Sequence, residues 1–240
     1  MELNQELSIV VPTKDEETQI GRLIDSLRGQ DYPRLSQTPI FIADAHSTDR
    51  TCEVAREHSE DILLWCIKGG LPAKGRNIGA RQTKSTYILF IDADITLPDP
   101  RTIRLALEIA KKRGYACITT MIRANNGDWI DNLFYGAGNL LFCISKYFSP
   151  FASGMFMLFR RDRFEEIGGF DETVTWSEDY VLTRNLRASE FHVLPIYAET
   201  PNRRLEKLGH WKFLRMMIGS LLHIWGINYF RRAGRKYFDK

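Results

Sequence analysis

Ile88-Leu89-Phe90-Ile91 runs without a polar break into Asp92-Ala93-Asp94. A short continuous apolar run of this kind is a strand buried on both faces, as in a parallel sheet covered by helices. Three other runs share the pattern: Leu7 to Pro12, Ile40 to Ala43 ending at Asp44, and Ile62 to Ile67. Helical stripes separate them. Ile20, Leu23, Ile24 and Leu27 recur at i, i+3, i+4 and i+7, and Thr51 to His58 and Ala73 to Thr83 read as helices. Ile103, Ala106, Leu107 and Ala110 mark another after the fourth strand. Strand and helix in alternation predict an α/β fold, a mostly parallel central sheet flanked by helices with right-handed crossovers. Ligands in such sheets bind beyond the carboxyl ends of the strands. Asp44, Asp92, Asp94 and the loop Pro12-Thr13-Lys14-Asp15-Glu16-Glu17 all fall there.

The alternation stops after Ile122. Residues 125–152 are rich in glycine and aromatic side chains and show no clear period. Met155 to Phe159 then reads as a strand and Glu178 to Ala188 as a helix. Residues 207–232 read as an amphipathic helix with Trp211, Leu214, Ile218, Leu221 and Trp225 on one stripe. Charge divides along the same line. Residues 201–240 hold ten Lys/Arg against two acids, +8, whereas the first 200 hold 23 against 28, −5. A basic amphipathic helix suits a membrane interface. It packs equally well on its own domain or on a second copy of the chain.

Several classes are excluded. No GxGxxG follows the first strand, which argues against a dinucleotide-dependent dehydrogenase. Cys52, Cys66, Cys117 and Cys143 form no CxxC pair and read as reduced thiols of a cytoplasmic protein. The N-terminus is polar and acidic, unlike a signal peptide, and no run of 18 apolar residues offers a spanning helix. The acidic body and the lack of a recognised module speak against nucleic acid.

The strand-end acids carry the chemistry. Two carboxylates one small residue apart suit a divalent cation that also takes phosphate oxygens; Asp99 before Pro100, by contrast, reads as a helix cap. Asp44, at the same strand-end position as Asp92, is expected to point into the same crevice and suits a base or ribose hydroxyl. Ser47-Thr48-Asp49 reads as a structural turn. Lys74 and Arg76, near a helix start, are either anion ligands or solvated surface. Glu178 and Asp179 are either a catalytic pair or a helix cap. Arg203 and Arg204 either close over a diphosphate or belong to the solvated tail. His46 and His210 read as ordinary surface or core histidines rather than metal ligands.

SIVVPTKDEE, DAHSTDRT, GLPAKGRNIGARQ, YILFIDAD, FASGMFMLFRRDRFEEIGGFDE and SEDYVL occur in that order over about residues 7–190. Together they resemble the family 2 glycosyltransferases, inverting enzymes of the Rossmann-like GT-A fold. The resemblance implies a nucleoside pocket lined by Pro12, Thr13 and Glu16, with Asp44 on the base and Lys74 and Arg76 near base and diphosphate. It makes Asp92 and Asp94 the DxD motif, Asp94 a ligand of Mn²⁺ or Mg²⁺ and Asp92 a contact to ribose or metal. Asp179 becomes the catalytic base, with Glu178 as the alternative, and Arg204 joins the donor site. The implied activity is metal-dependent, inverting transfer from a nucleoside-diphosphate sugar, expected to be a UDP-sugar, to a glycan or lipid-linked hydroxyl. Rival readings are a non-catalytic nucleotide-sugar or membrane-surface binding module and a nucleotidyltransferase.

The implied organisation is a GT-A domain over 1–200, with a nucleotide-sugar-binding half at 1–122 and an acceptor half at 123–200. Residues 201–240 form the basic helical tail. The expected location is cytoplasmic, peripheral on the inner face of the membrane if the tail meets lipid, with homo-oligomers as the other use of that helix. Three departures stand out. The family's DDGSTD or DSxSTD loop is DAHSTD here, Ile95 stands where another Asp often follows the DxD, and Arg204 is followed by Leu205, so the QxxRW motif of processive members is not intact.

Overall fold

The computed structural model describes residues 3–203, 206, 209–212, 214, 215 and 218. Arg204, Leu221, Trp225 and the basic cluster beyond residue 230 lie outside the described residues, as does most of the expected tail helix.

In chain order the elements are β1 (Leu7–Thr13), α1 (Ile20–Arg28), β2 (Pro39–Asp44), α2 (Thr51–Glu57), β3 (Leu63–Lys68), α3 (Pro72–Arg81) and β4 (Tyr87–Ile91). There follow α4 (Thr102–Arg113), β5 (Cys117–Ala124), α5 (Trp129–Ser145), β6 (Phe156–Arg160), α6 (Arg161–Glu166), α7 (Glu178–Thr183) and β7 (Phe191–Thr200). The seven strands form one sheet in the order β3-β2-β1-β4-β6-β5-β7. All pairings are parallel except those of β6, which runs antiparallel to β4 and β5.

The apolar runs are buried on both faces, as expected. Ile9, Val11, Leu89 and Ile91 meet α1 and α4 on one side, through Leu23, Ile24, Ile103 and Leu107. Val10, Ile88 and Phe90 meet α3, Phe164 and Phe170 on the other. Gly79 lets α3 lie close on the sheet, since a Cβ there would fall inside the Val10 side chain.

Chain order places the site. After β1 the chain steps outward through β2 and β3, then returns to lay β4 on the other side of β1. The crevice between the carboxyl ends of β1 and β4 is the switch point of the sheet. The ends of β1 and β2 are in register, Thr13 opposite Asp44. Their loops interlock: Asp15 N–H donates to Ser47 Oγ at 2.9 Å, Thr48 N–H to Asp15 Oδ1 at 2.7 Å and Glu16 N–H to Thr51 Oγ1 at 2.8 Å. Ser47-Thr48-Asp49 is thus structural, as read.

The second half departs from expectation. The aperiodic stretch 125–152 contains α5, a 17-residue helix opened by a capping box between Asp128 and Asp131. Its period is hidden because apolar residues occupy the solvent face as well as the buried one. The helix expected over Glu178 to Ala188 stops at Thr183. β7, which carries Pro195, pairs with β5 across a register shift at Thr120/Met121.

Candidate active site

A cavity of about 450 Å³ opens at the switch point. Pro12, Thr13 and Glu16 line it after β1, Asp92 and Asp94 after β4, and Arg76 on α3. Glu178 and Asp179, at the start of α7, form the far wall, with Ser153 and Gly154 leading into β6. Phe134, Tyr135, Leu141 and Phe142 of α5, with Phe151 and Trp176, close the apolar end.

Arg76 organises the floor. It is 2% exposed, so it is no solvated surface base. Its Nη2 donates to Asp92 Oδ1 at 2.6 Å and its Nη1 to Glu178 Oε1 at 2.5 Å. Its guanidinium carbon sits 5.3 Å from the centre of the Phe170 ring. Burial alone would weaken its hold on the proton, but Asp92, Glu178 and Asp179 more than offset that and raise its pKa. A buried cation held between two carboxylates is fixed by both. Gly154 makes room for it: a Cβ there would lie 2.5 Å from Arg76 Nη2.

Asp179 is neighbour to that pair without sharing its hydrogen bonds. Its Oδ2 accepts from Gly154 N–H and its Oδ1 from Tyr180 N–H, each at 2.7 Å. Burial, and then the negative charge of Glu178, push its carboxyl up to about 7, against the pull of those N–H groups and of Arg76. Ser177, just before the pair, takes the left-handed backbone at φ 54°. Two adjacent carboxylates thus differ in kind: Glu178 is ion-paired, and Asp179 is buried with its carboxyl raised.

The wall after β1 and β4 is acidic. Burial raises the Glu16 carboxyl, as do the nearby charges of Asp94 and Asp92, while Arg203 pulls the other way. Arg203 Nη2 reaches Glu16 Oε2 at 2.9 Å and Asp94 Oδ2 at 3.1 Å. Glu16, Asp92 and Asp94 therefore make an oxygen-rich cluster that draws a cation. Such a donor set fits a hard divalent ion, and the Arg203 guanidinium provides positive charge beside two of its members.

Of the residues predicted from sequence, Pro12, Thr13, Glu16, Arg76, Asp92, Asp94, Glu178 and Asp179 come together around one cavity. Asp44 is not among the residues that line this cavity. Its carboxylate binds Ser47 through Oγ and N–H and accepts from Thr13 Oγ1 at 3.3 Å, and Ala45 rather than Asp44 lines the cavity. Lys74 is exposed, its stem over Gly70, outside the cavity lining. Arg204 lies outside the described residues, and its neighbour Arg203 supplies the cation. Gly154, Trp176 and the inner face of α5 were not singled out from sequence.

A second cluster lies at the start of α5, where ligand atoms of Asp128, Asp131 and His210 fall within 4.8 Å of one another. Asp131 is engaged there already. It accepts from His210 Nε2 at 2.8 Å, from Asp128 N–H at 3.0 Å and from Asn202 Nδ2. His210 also stacks on Phe134, ring centres 5.4 Å apart, so these contacts dock the start of the tail on α5.

The sheet topology, with acids at the strand ends of its switch point, is that of the GT-A fold. The profile of glycosyl transferase family 2 matches residues 8–168, and the chain belongs to that family. A mannosyltransferase from Pyrobaculum calidifontis, solved with GDP-Man and Mn²⁺, superposes with a TM-score of 0.68 at 21% identity, over 89% of this chain and 64% of that one. TarS of Staphylococcus aureus, solved as residues 1–349 with UDP-GlcNAc, superposes at 0.65 and 20% identity, over 82% and 58%. TarS, a poly(ribitol-phosphate) β-N-acetylglucosaminyltransferase, is 31% identical over 91 residues, 36% of this chain and 16% of TarS. A 4,4'-diaponeurosporenoate glycosyltransferase of Staphylococcus haemolyticus is 21% identical over 198 residues, 80% of this chain and half of that protein. The chain thus spans half or less of these two relatives' lengths.

Proposed function

We propose that the chain is a metal-dependent, inverting glycosyltransferase that moves a sugar from a UDP-sugar to an acceptor hydroxyl, with Asp179 as general base. The observation that carries this reading is the poise of Asp179, raised to about 7, across one cavity from the DxD carboxylates. A base whose pKa lies near working pH contributes about 10²–10⁴-fold in rate.

In this reading the acceptor hydroxyl gives its proton to Asp179 as its oxygen bonds to the anomeric carbon. The bond from that carbon to the diphosphate oxygen breaks on the opposite face, which inverts the centre and releases UDP. Asp94 and Asp92 would hold a Mn²⁺ or Mg²⁺ ion, whose charge offsets the negative charge growing on the diphosphate. Pro12, Thr13 and Glu16 seat the nucleoside side. Arg76 acts through Asp92 and Glu178, fixing one carboxylate of each wall, rather than on the diphosphate. Residues 1–122 then supply the donor wall and 123–200 the acceptor wall. UDP is favoured by the UDP-GlcNAc complex of TarS, whereas the GDP-Man complex of the mannosyltransferase makes GDP the second nucleotide to test.

Calorimetric titration with UDP and GDP, with and without Mn²⁺, tests the donor site. Metal-dependent UDP binding that Asp94→Ala loses supports it, and metal-independent binding or none overturns it. Asp179→Asn should still bind UDP but lose transfer by about 10²-fold or more. A non-catalytic binding module would show no transfer to lose.

A further inference from the structure

We propose that the outer face of α5 seats on an anionic bilayer surface, and that the acceptor is a membrane-resident amphiphile entering the cavity along this helix. The statement about the acceptor rests on the glycosyltransferase reading above; the statement about the surface does not.

The helix has two apolar faces. Phe134, Tyr135, Leu141 and Phe142 turn inward and line the cavity. Trp129, Leu133, Leu140 and Ile144 turn outward at 75, 65, 59 and 41% exposure. Their spacing of four, seven and four residues is one helical stripe. Tyr147 and Phe148 prolong it beyond the helix end, at 70 and 82% exposure. From residue 132 to 145 there is no charged side chain. A solvent face this apolar over 17 residues is unlike the isolated exposed apolar groups of an ordinary surface.

Basic side chains flank the stripe, with the capping Asp128 the exposed acid at its start. Lys146 lies 4.9 Å from the centre of the Tyr147 ring. At the other end, the contacts of His210 with Asp131 and Phe134 bring the next residues against α5. Among them Trp211 is 81% exposed, and Lys212 and Arg215 are exposed. Apolar side chains with aromatic residues at their ends and Lys/Arg around them make an interfacial helix. Charge selects the occupant. Among the described residues Lys146, Lys212 and Arg215 lie beside the stripe, and their charge favours an anionic surface over a neutral one. Among the described residues no helix is long and apolar enough to cross a membrane, so α5 lies on the surface.

The two faces belong to one helix, so the bilayer and the cavity are separated only by its width. An amphiphile can keep its apolar body along Phe134 and Phe142 while its hydroxyl reaches Asp179. A water-soluble sugar acceptor would leave that apolar wall without a role.

The test is co-sedimentation of the full chain with phosphatidylcholine vesicles, with and without phosphatidylglycerol, in the absence of donor and acceptor. The full chain should pellet with the anionic vesicles and much less with the neutral ones. Trp129→Glu/Leu133→Glu/Leu140→Glu, none of which lines the cavity, should weaken that partition by at least about tenfold. Brominated lipid should quench tryptophan emission in the full chain, and less so in Trp129→Phe, which keeps the face apolar and the fold undisturbed. Failure to pellet, equal partition of the triple variant, or quenching unchanged in Trp129→Phe would overturn the proposal. A concentration-dependent dimer dissolved by the triple variant would assign the face to a second copy and also overturn it. A chain that binds vesicles but no nucleotide refutes the transferase reading alone, and one that binds UDP but no vesicles refutes this one alone.

Discussion

Asp179→Asn should make the protein more stable while disabling it. The native carboxyl is moved from an ordinary value of 3.8 to about 7, chiefly by burial. The folded state therefore holds a proton that the unfolded chain releases between those values. Native stability falls as pH rises through that window and is flat above it. At about 1.36 kcal/mol per pH unit, keeping the ionised carboxylate costs the fold up to about 4 kcal/mol at pH 8. An asparagine removes that cost but has one oxygen for two N–H donors, Gly154 and Tyr180, and loses about 1 kcal/mol with the second. Coupling to Glu178 spreads the remainder, so a net gain of about 1–3 kcal/mol is expected at pH 8. For a chain of this size that is roughly 2–4 °C in Tm per kcal/mol. Urea unfolding of both proteins at several pH values between 4 and 8 reads it directly. The difference should be near zero at the acid end and grow up to about pH 7. A variant that is less stable at pH 8, or whose advantage does not change with pH, would refute the burial argument.

Arg76→Met should destabilise by about 3–5 kcal/mol, because Glu178 and Asp92 lose the buried cation between them; chemical denaturation checks it. His46→Gly should raise Tm by roughly 2 °C, since His46 holds φ at 59° in the left-handed region that glycine adopts without strain; the gain from relieved backbone exceeds the added freedom of the unfolded chain. Arg203→Ala should move the Glu16 titration to still higher pH, as the guanidinium that holds that carboxyl down is removed while Asp94 and Asp92 remain; carboxyl ¹³C titration by NMR would show it, and an unmoved or lowered midpoint would count against the bridge.

The first half was legible because its signals are local. Runs such as Ile88 to Ile91 state burial on both faces by composition alone, and the residues after them fall at strand ends in any parallel sheet. Asp92, Asp94 and Glu16 were therefore placed correctly without knowledge of their partners. α5 escaped because its outward Trp129, Leu133 and Leu140 cancel the contrast on which periodicity depends. For Asp44 the strand-end position was legible but the partner was not: Ser47, three residues on, holds the carboxylate. The unequal surroundings of Glu178 and Asp179 were not legible from the residues themselves; only the family resemblance set Asp179 apart. Those surroundings follow from Arg76, 102 residues from Glu178, and from the backbone of Gly154, 25 residues from Asp179.

The two walls of the cavity are not separable modules. Arg76 takes one carboxylate, Asp92, from its own half of the chain and the other, Glu178, from the far half. A fragment ending near residue 122 would bury that guanidinium with one partner missing, beside a β4 edge left bare where β6 should pair. Such a piece is expected to aggregate rather than fold. During synthesis the first wall then stays unfinished until the segment carrying Glu178 has emerged, so both walls of the cavity mature in a single cooperative step.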